Sequence, residues 1–296
     1  MRLPAYGIIG VAVMALSEAL MLVHVEPFWS WHTPIAWTGY ILFVDGLVRA
    51  RRGSSWLTQA KDEFVFLALM SIPLWLIFEG YNLLIRNWHY VNLPANPFWR
   101  TFGYAWSFGT IWPAMFETAE LVATFRGVTR PGLKSEARSP KPIVTSVTSV
   151  VVASGRQPSR AAWLSIALGA AMLLWPLVRP SPYLAAPVWL GFFFLLDPLN
   201  SRAGSEAVWD DWDGSARERL VNLATGGMIC GVIWEFWNYW ARAKWTYTVP
   251  IFPNLKVFEM PLPGYLGFPA FALECFAMYV AARRWLWRGT TRPIGL

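Results

Sequence analysis

Eight of the 18 acidic residues lie inside or at the edge of long apolar stretches of the sequence: Glu18, Asp45, Glu79, Glu117, Glu120, Asp197, Glu235 and Glu274. Basic residues lie only near the ends of these stretches, so no cationic partner is evident for the carboxyl groups. An ionisable side chain at membrane depth is costly and indicates a functional site by default. Desolvation favours the neutral carboxyl form, and a neutral buried acid can donate a proton.

Two of these acids belong to a Glu-x-x-Asn pattern, formed by Glu79 with Asn82 and by Glu235 with Asn238. Residues three apart share one face of a helix, so each asparagine is predicted to orient its carboxyl group by a hydrogen bond. The predicted catalytic set is Glu79, Asn82, Glu117, Glu235, Asn238 and Glu274. Interhelical hydrogen bonding that holds two halves of the protein together is the structural alternative.

The remaining acids are expected to be mainly structural. Asp45 and Asp197 precede basic or turn residues, which favours capping of loops or pairing with a nearby arginine. Glu18 is also interpreted as structural. Glu120 lies one helical turn after Glu117, and its sequence position favours neither function nor structure.

Aromatic residues are unusually frequent, at 17% of the chain with 20 tryptophans, and they cluster around the same acids. The predicted substrate-binding residues are Trp75, Tyr81, Trp88, Tyr90, Trp234, Trp237, Trp245 and Tyr247. Tryptophan and tyrosine also form belts at membrane–water interfaces. A belt and a pocket wall for an extended apolar or cationic ligand, whose charge the ring faces would attract, both remain open.

The elements that must position these residues follow from composition. The chain has 296 residues, of which 55% are hydrophobic and 15% charged, and its mean hydropathy is +0.36. Soluble proteins carry about 25% charged residues, and a membrane-spanning helix needs about 20 apolar residues. These values predict an all-α integral membrane protein with about eight transmembrane helices, at roughly 3–24, 33–48, 64–85, 102–125, 161–178, 184–199, 220–241 and 264–282.

The segment 126–160 divides the chain, since it is rich in proline, serine and basic residues, as linkers are. It separates a first membrane repeat at 1–125 from a second at 161–296. Alternating the loops between two sides puts nineteen Lys and Arg on one side and six on the other. The positive-inside rule then places both termini and the linker in the cytoplasm and the protein in the cytoplasmic (inner) membrane.

The two halves share a sequence pattern, which predicts two parallel repeats because four spans per half preserve the orientation. In the first half the pattern is Trp37-x-Gly39-Tyr40, Asp45, Glu79, Asn82 and Trp88-x-Tyr90. In the second half it is Trp189-x-Gly191-Phe192, Asp197, Glu235, Asn238 and Trp245-x-Tyr247. The proline-rich segments around Pro250–Pro253 and Pro261–Gly264 predict short hairpin-like turns over the outer mouth.

The residue counts and the missing motifs disfavour several function classes. Two cysteines and three histidines give no paired metal motif, and no Walker or Rossmann fingerprint is present. We therefore expect no metal and no cofactor. The net charge of +7 is typical of basic cytoplasmic loops rather than of nucleic-acid binding.

In both halves, the order of these elements resembles that of the membrane lycopene cyclases of the heterodimeric or fused type. The resemblance covers about 33–125 and 184–282 and concerns order and character, since this chain has one glutamate after the final proline where the family pattern has two. The matching elements are Asp45, Phe78-Glu79, Trp88-x-Tyr90 and Pro113 leading to Glu117, then Asp197-Pro198, Trp234-Glu235, Trp245-x-Tyr247 and Phe268-Pro269 leading to Glu274.

The resemblance implies an isoprenoid or carotenoid-like lipid as substrate. A neutral glutamate would protonate a carbon–carbon double bond, and cyclisation or isomerisation would follow without a cofactor. The expected partners are this apolar ligand and membrane lipids, with a homo-oligomer or a membrane complex left open. Two alternatives are non-enzymatic: a proton-coupled transporter, and a structural subunit that binds lipid or pigment.

Overall fold

A computed structural model describes residues 2–127, 159–209 and 214–296, so most of the predicted linker lies outside the described residues. The described chain is mostly helical, which confirms the predicted fold class in its coarse form. Its helices are α1 (Ala5–Leu22), α2 (Phe28–Arg52), α3 (Trp56–Gln59), α4 (Lys61–Ile85), α5 (Pro97–Phe125), α6 (Arg160–Val178), α7 (Ala185–Arg202), α8 (Gly214–Trp240) and α9 (Gly267–Leu286).

Each predicted apolar segment coincides with one long helix, although several helices extend beyond the apolar run. Helix α2 begins at Phe28 and ends at Arg52, where the apolar run alone indicated 33–48. Within the described residues, five helical segments are long and apolar enough to cross a membrane: Ala5–Leu22, Lys61–Ile85, Arg160–Val178, Ser215–Trp240 and Leu262–Leu286. These features are those of a membrane protein.

Local signals explain where several helices begin and end. The side chain of Asn96 accepts hydrogen bonds from Phe98 N at 2.9 Å and Trp99 N at 3.4 Å, and Pro97 occupies the first helical position of α5. Gly53 follows the last residue of α2 and caps the helix, with a φ of 76°, a left-handed conformation that glycine adopts without strain. These signals set helix ends that hydropathy alone cannot locate.

The helices pack in the same order in both halves of the chain. In the first half α1 packs on α2, α2 on α5, and α5 on α4. In the second half α6 packs on α7, α7 on α9, and α9 on α8. The main contact between the halves runs between α5 and α8.

Glycines allow the close helix crossings of both halves. A Cβ atom added to Gly10 would lie 2.4 Å from the carbonyl oxygen of Gly39, where α1 crosses α2. A Cβ atom added to Gly169 would lie 2.4 Å from the backbone nitrogen of Leu195, where α6 crosses α7. Since the neighbours are backbone atoms, a side chain at either position would force the helices apart.

We expect Gly169→Val to lower the free energy of unfolding by about 1–3 kcal/mol, because the added carbons overpack the α6–α7 crossing. Thermal unfolding in detergent, followed by near-ultraviolet circular dichroism, measures the change. Gly80→Ala is the control, because a Cβ at that helical position meets no atom within 4 Å. Equal unfolding midpoints for the two variants would contradict the proposed close crossing.

Four short strands add to the predicted helices. Strand β1 (Trp88–Val91) follows α4 and β2 (Lys244–Tyr247) follows α8, and the two pair antiparallel across the halves. Strands β3 (Lys256–Val257) and β4 (Met260–Pro261) form a hairpin, and a 3-10 turn at Leu262–Leu266 leads into α9. The end of the bundle that carries β1 and β2 is called the mouth end here, and the opposite end the base end.

The C-terminal segment Arg292–Leu296 folds back into the base end, where Ile294 is fully buried. Arg292 donates to Glu120 at 2.9 and 2.7 Å, and the Arg292 backbone nitrogen donates to Glu63 at 2.6 Å. Arg52 lies 3.6 Å from the same Glu120 carboxylate. The expectation that the buried acids lack cationic partners is therefore wrong for Glu120, whose main partner arrives from the chain terminus.

Candidate ligand cavity with two glutamate–tyrosine pairs

A cavity of about 480 Å³ opens at the mouth end, between the helices and beneath the strands. Six of the eight predicted substrate-binding residues line it: Trp75, Trp88, Tyr90, Trp234, Trp245 and Tyr247. The wall also contains aromatic residues that were not predicted, including Trp31, Trp37, Tyr104, Trp189 and Phe271. Trp37 and Trp189 are the first residues of the repeated sequence pattern. Their matching positions in the two halves could have indicated that they belong to the cavity wall.

The wall aromatics form a continuous cluster around Trp75. The Trp75 ring centroid lies 5.7 Å from that of Phe271, 6.0 Å from Trp234 and 6.1 Å from Trp88. Trp75 and Trp88 are both buried in the wall. An aromatic surface of this kind suits an apolar chain, and its ring faces attract positive charge.

The first glutamate–tyrosine pair joins Glu79 of α4 to Tyr90 of β1. The Tyr90 hydroxyl donates to Glu79 Oε1 at 2.5 Å, and the indole nitrogens of Trp75 and Trp88 donate to the same oxygen at 2.9 and 3.2 Å. Three donors therefore converge on one carboxyl oxygen of Glu79. Burial, and then the nearby Glu79 carboxyl, raise the pKa of Tyr90 well above its usual value, so the phenol stays protonated.

The second pair joins Glu235 of α8 to Tyr247 of β2. The Tyr247 hydroxyl donates to Glu235 Oε1 at 2.7 Å and accepts from Trp245 Nε1 at 2.7 Å. Glu235 is fully buried, and its Oε2 has no hydrogen-bond partner among the described residues. Burial and the Glu235 carboxyl raise the pKa of Tyr247 well above its usual value. Glu235 thus accepts fewer hydrogen bonds than Glu79 and is more deeply buried.

The strand register brings the two pairs together in one wall. Tyr90 faces Trp245, and Trp88 faces Tyr247, across the β1–β2 ladder. Each carboxyl group therefore lies behind a phenol that itself lines the cavity, and neither Glu79 nor Glu235 belongs to the lining. Glu79 is partly exposed, whereas Glu235 is fully buried.

No family model, characterised protein or solved structure matches this chain.

The two predicted asparagines have a different role from the one expected, because neither contacts a carboxyl group. Asn82 Nδ2 donates to the Trp88 carbonyl at 2.8 Å, and Asn82 Oδ1 accepts from Trp88 N at 3.1 Å. Asn238 makes the same two contacts with Trp245, at 2.8 and 2.9 Å. Asn82 therefore holds the backbone of the first residue of β1, and Asn238 holds the backbone of the second residue of β2. Through these strands the asparagines position the two glutamate–tyrosine pairs.

We expect Asn238→Leu to lower the free energy of unfolding by about 1–3 kcal/mol, because both backbone groups of Trp245 lose their partner. Amide hydrogen exchange measures the local effect, and it should increase in β2 more than in α8. Asn254→Leu is the control, since Asn254 lies exposed in the loop before β3. Unchanged exchange in β2 would contradict the anchoring role.

Two predicted substrate-binding residues lie outside the cavity lining. The Tyr81 hydroxyl donates to the Leu173 carbonyl at 3.0 Å, which ties α4 to α6. Trp237 Nε1 donates to Glu18 Oε1 at 2.5 Å, which ties α8 to α1. Both contacts hold helices together, and that of Glu18 fits its expected structural role.

Glu274 and Glu117 are fully buried and also lie outside the cavity lining. Glu274 Oε1 accepts from Phe192 N at 2.8 Å, and its Oε2 has no partner among the described residues. Both carboxyl oxygens of Glu117 lack a hydrogen-bond partner within the described ranges, and the neighbouring carboxyl group is that of Asp45.

The expected loop capping by Asp45 and Asp197 is present at the base end. Asp45 accepts from Ser55 Oγ at 2.8 Å and from Leu57 N at 2.9 Å. Asp197 accepts from the backbone nitrogens of Val208 and Trp209 at distances down to 2.6 Å. Across the described part of the chain, no group of three or more histidine, cysteine or acidic residues could hold a metal ion.

Proposed function

We propose that this protein is a multi-pass membrane enzyme that binds an isoprenoid-like lipid in the aromatic cavity and protonates one of its double bonds. Cyclisation or isomerisation of the carbocation would follow. The observation that carries the proposal is the Glu235–Tyr247 pair, in which a buried carboxyl group lies behind a phenol of the cavity wall. The resemblance to lycopene cyclases supports the same class of reaction.

The proposed proton transfer balances without a co-reactant. In the reactive form Glu235 is protonated and its hydrogen bond with Tyr247 is reversed, so that the carboxyl group donates to the Tyr247 oxygen and the Tyr247 hydroxyl can turn to the alkene. Tyr247 gives its hydroxyl proton to an alkene carbon while the Glu235 carboxyl group gives its proton to the Tyr247 oxygen. The alkene π electrons form the new C–H bond, and the adjacent carbon becomes a carbocation. Loss of a proton from a neighbouring carbon to the Tyr90 oxygen, with transfer of the Tyr90 proton to Glu79, restores a double bond. Glu79 then releases a proton to water and Glu235 takes one up, so the net reaction is an isomerisation.

The surrounding wall supplies what such a cation needs. The faces of Trp75, Trp234 and Phe271 stabilise positive charge without acting as nucleophiles. A closed apolar site excludes water, which would otherwise trap the cation as an alcohol. Aromatic and apolar side chains of the described wall would serve both purposes, stabilising the cation and keeping water from it.

The membrane arrangement belongs to the same proposal. The matching helix order, the two glycine crossings and the two asparagine anchors support two parallel repeats of four spanning helices each. Helix α5 ends and α6 begins at the base end, where the C-terminal segment also lies, and the excess of basic residues in the sequence supports a cytoplasmic position for this end. The cavity mouth then lies on the opposite side of the cytoplasmic membrane.

Expression in a host that accumulates lycopene, an acyclic carotenoid, tests the proposal by extraction and chromatography of the pigments. The expected result is a cyclised or isomerised carotenoid that is absent from the empty-vector host. In parallel, tryptophan fluorescence of the purified protein should be quenched by acyclic polyenes, because tryptophans line the cavity. Unchanged pigments together with unquenched fluorescence would overturn the proposal.

A second candidate function, proton-coupled binding or transport, is favoured by the pair of buried carboxyl groups at Glu117 and Asp45. Glu117 is fully buried and neither of its carboxyl oxygens has a hydrogen-bond partner among the described residues, so it could take up a proton without breaking a described hydrogen bond. This pair lies outside the cavity lining, so ligand binding could be coupled to protonation at a separate place.

We expect Glu117→Gln to abolish any proton uptake that accompanies ligand binding, because glutamine cannot take up the proton. The measurement is the pH change of a weakly buffered proteoliposome suspension after ligand addition. Glu26→Gln is the control, since Glu26 lies exposed in an ion pair with Arg242. Equal proton uptake by wild type and Glu117→Gln would exclude this second function.

A further inference from the structure

Several polar residues of the cavity wall lie at the mouth end. Ser30, Trp31 and Thr33 lie at the start of α2, and Arg100 lies in the first turn of α5, all at the mouth end. The deeper wall is formed by residues such as Trp75, Trp234 and Phe271. A ligand that matches this wall has an apolar chain and a polar head.

The charge of the rim has one sign. Arg100 and Lys244 are the two charged residues among the described lining, and both are cationic. Lys244 is partly neutralised by Glu259, at 2.6 Å. Arg100 is exposed and has no ion pair with the described acidic residues. Its guanidinium group is therefore free to bind an anion by paired hydrogen bonds.

A second observation at the rim indicates that the ligand carries a hydrogen-bond acceptor. The indole nitrogen of Trp31 is buried and has no hydrogen-bond partner among the described residues, although Trp31 lines the cavity. The Trp31 ring lies 5.6 Å from that of Trp99, the residue next to Arg100. The nitrogen is covered by its neighbours, so the Trp31 ring would have to turn slightly for a ligand oxygen to reach it, but native proteins seldom leave a buried donor without a partner.

We propose that the ligand is an amphiphile with an isoprenoid-like chain and an anionic head group, phosphate or carboxylate, held at the rim by Arg100 and Trp31. This inference rests on the proposed function and names the preferred ligand of the same cavity, a prenyl chain with a charged end, which binds more tightly than an uncharged isoprenoid. The head at the rim fixes the direction in which the chain enters the aromatic cluster. The double bond that reaches Tyr247 is then selected by its distance from the head.

Direct binding to the full-length protein in a non-ionic detergent tests this inference. The probes are geranylgeranyl monophosphate and geranylgeraniol, which share one chain and differ in the head, together with inorganic phosphate alone. Quenching of tryptophan fluorescence should give a dissociation constant at least about tenfold lower for the monophosphate than for the alcohol. The preference should decrease as salt is added, because exposed charges are screened.

Variants then locate the head group. Arg100→Gln should bring the monophosphate within about threefold of the alcohol, without weakening the alcohol itself. Arg179→Gln is the matched control, because Arg179 is exposed at the same end of the bundle and does not line the cavity. It should keep the full preference.

The outcomes separate this inference from the proposed function. Equal binding of the two prenyl probes by the wild type, or a preference that survives Arg100→Gln, would overturn the anionic head while leaving a lipid-binding cavity. Quenching by neither probe would overturn both. Binding of inorganic phosphate with the same affinity as the monophosphate would show that the chain does not contribute, and would also overturn the inference.

Discussion

Replacing Glu235 by glutamine is expected to lower the rate of lipid conversion by about 10²- to 10⁴-fold, the usual contribution of a positioned general acid. Glutamine preserves the size of the side chain and can still accept the hydrogen bond of Tyr247, but it has no acidic proton to give. Ligand affinity should change less than about threefold, because Glu235 lies outside the cavity lining. The measurements are product formation in the carotenoid-accumulating host and fluorescence quenching of the purified variant.

Three further variants make this expectation specific. Tyr247→Phe should reproduce the loss, because it removes the hydroxyl between Glu235 and the cavity. Glu79→Gln should also reduce the rate, by impairing proton removal rather than proton donation. Glu26→Gln should leave the rate unchanged, since Glu26 lies exposed and outside the cavity lining. Full activity of both Glu235→Gln and Tyr247→Phe would remove the protonation mechanism while leaving ligand binding to be judged separately.

The unequal surroundings of the two glutamates explain why the sequence could not assign their roles. Both occur in the same Glu-x-x-Asn context, so the repeated pattern treats them as equivalent. In three dimensions, two indoles and a phenol donate to Glu79, whereas one phenol donates to Glu235 and one carboxyl oxygen remains without a described partner. The number of donors depends on rotamers and strand register, which the repeated pattern does not encode.

The helices were predictable because each apolar run must cover its surface, along its whole length, with other helices or with membrane lipid. Their ends were less predictable, since they depend on single capping residues such as Asn96 and Gly53. The pairing of β1 with β2 could not be foreseen, because each strand has only four residues and its partner lies in the other half. Trp88-x-Tyr90 and Trp245-x-Tyr247 were visible as matching motifs, but their apposition required the packing of both halves.

The role of the asparagines shows a limit of reasoning from helical spacing. Asn82 and Asn238 do share a helix face with the neighbouring glutamates, as predicted. However, each lies close to the helix end, where the backbone of the following strand offers both a donor and an acceptor. A side-chain amide satisfies those two groups better than it satisfies a carboxylate, because it can donate and accept at once.

The same limit applies to the base end, where ion pairs come from residues far apart in the sequence. Glu63 accepts from Arg283 at 3.0 Å, and Glu206 accepts from Arg219 at 3.3 Å. Arg292 follows the last helix in a segment without periodicity, so no pattern indicated that it returns to Glu120. Pairing of these charges makes their burial tolerable, and it also makes each partner indispensable.

Replacing Arg292 by leucine is therefore expected to lower the free energy of unfolding by about 3–5 kcal/mol, the usual cost of leaving a buried charge without its partner. Arg292 is 5% exposed, and its loss removes two hydrogen bonds from the fully buried Glu120 carboxylate, while Arg52 stays 3.6 Å away. Thermal unfolding in detergent, followed by tryptophan fluorescence, should show a midpoint many degrees lower. Arg288→Leu is the matched control, because Arg288 lies exposed shortly after α9 and outside the segment Arg292–Leu296.

The double variant Arg292→Leu with Glu120→Gln separates loss of the ion pair from loss of packing. If loss of the Arg292 charge beside the Glu120 carboxylate causes the instability, the double variant should recover a large part of the lost stability, because the buried negative charge is gone as well. If the double variant is as unstable as Arg292→Leu, the segment Arg292–Leu296 contributes through the packing of Ile294 instead. A midpoint for Arg292→Leu equal to that of Arg288→Leu would show that the pair with Glu120 contributes nothing to stability.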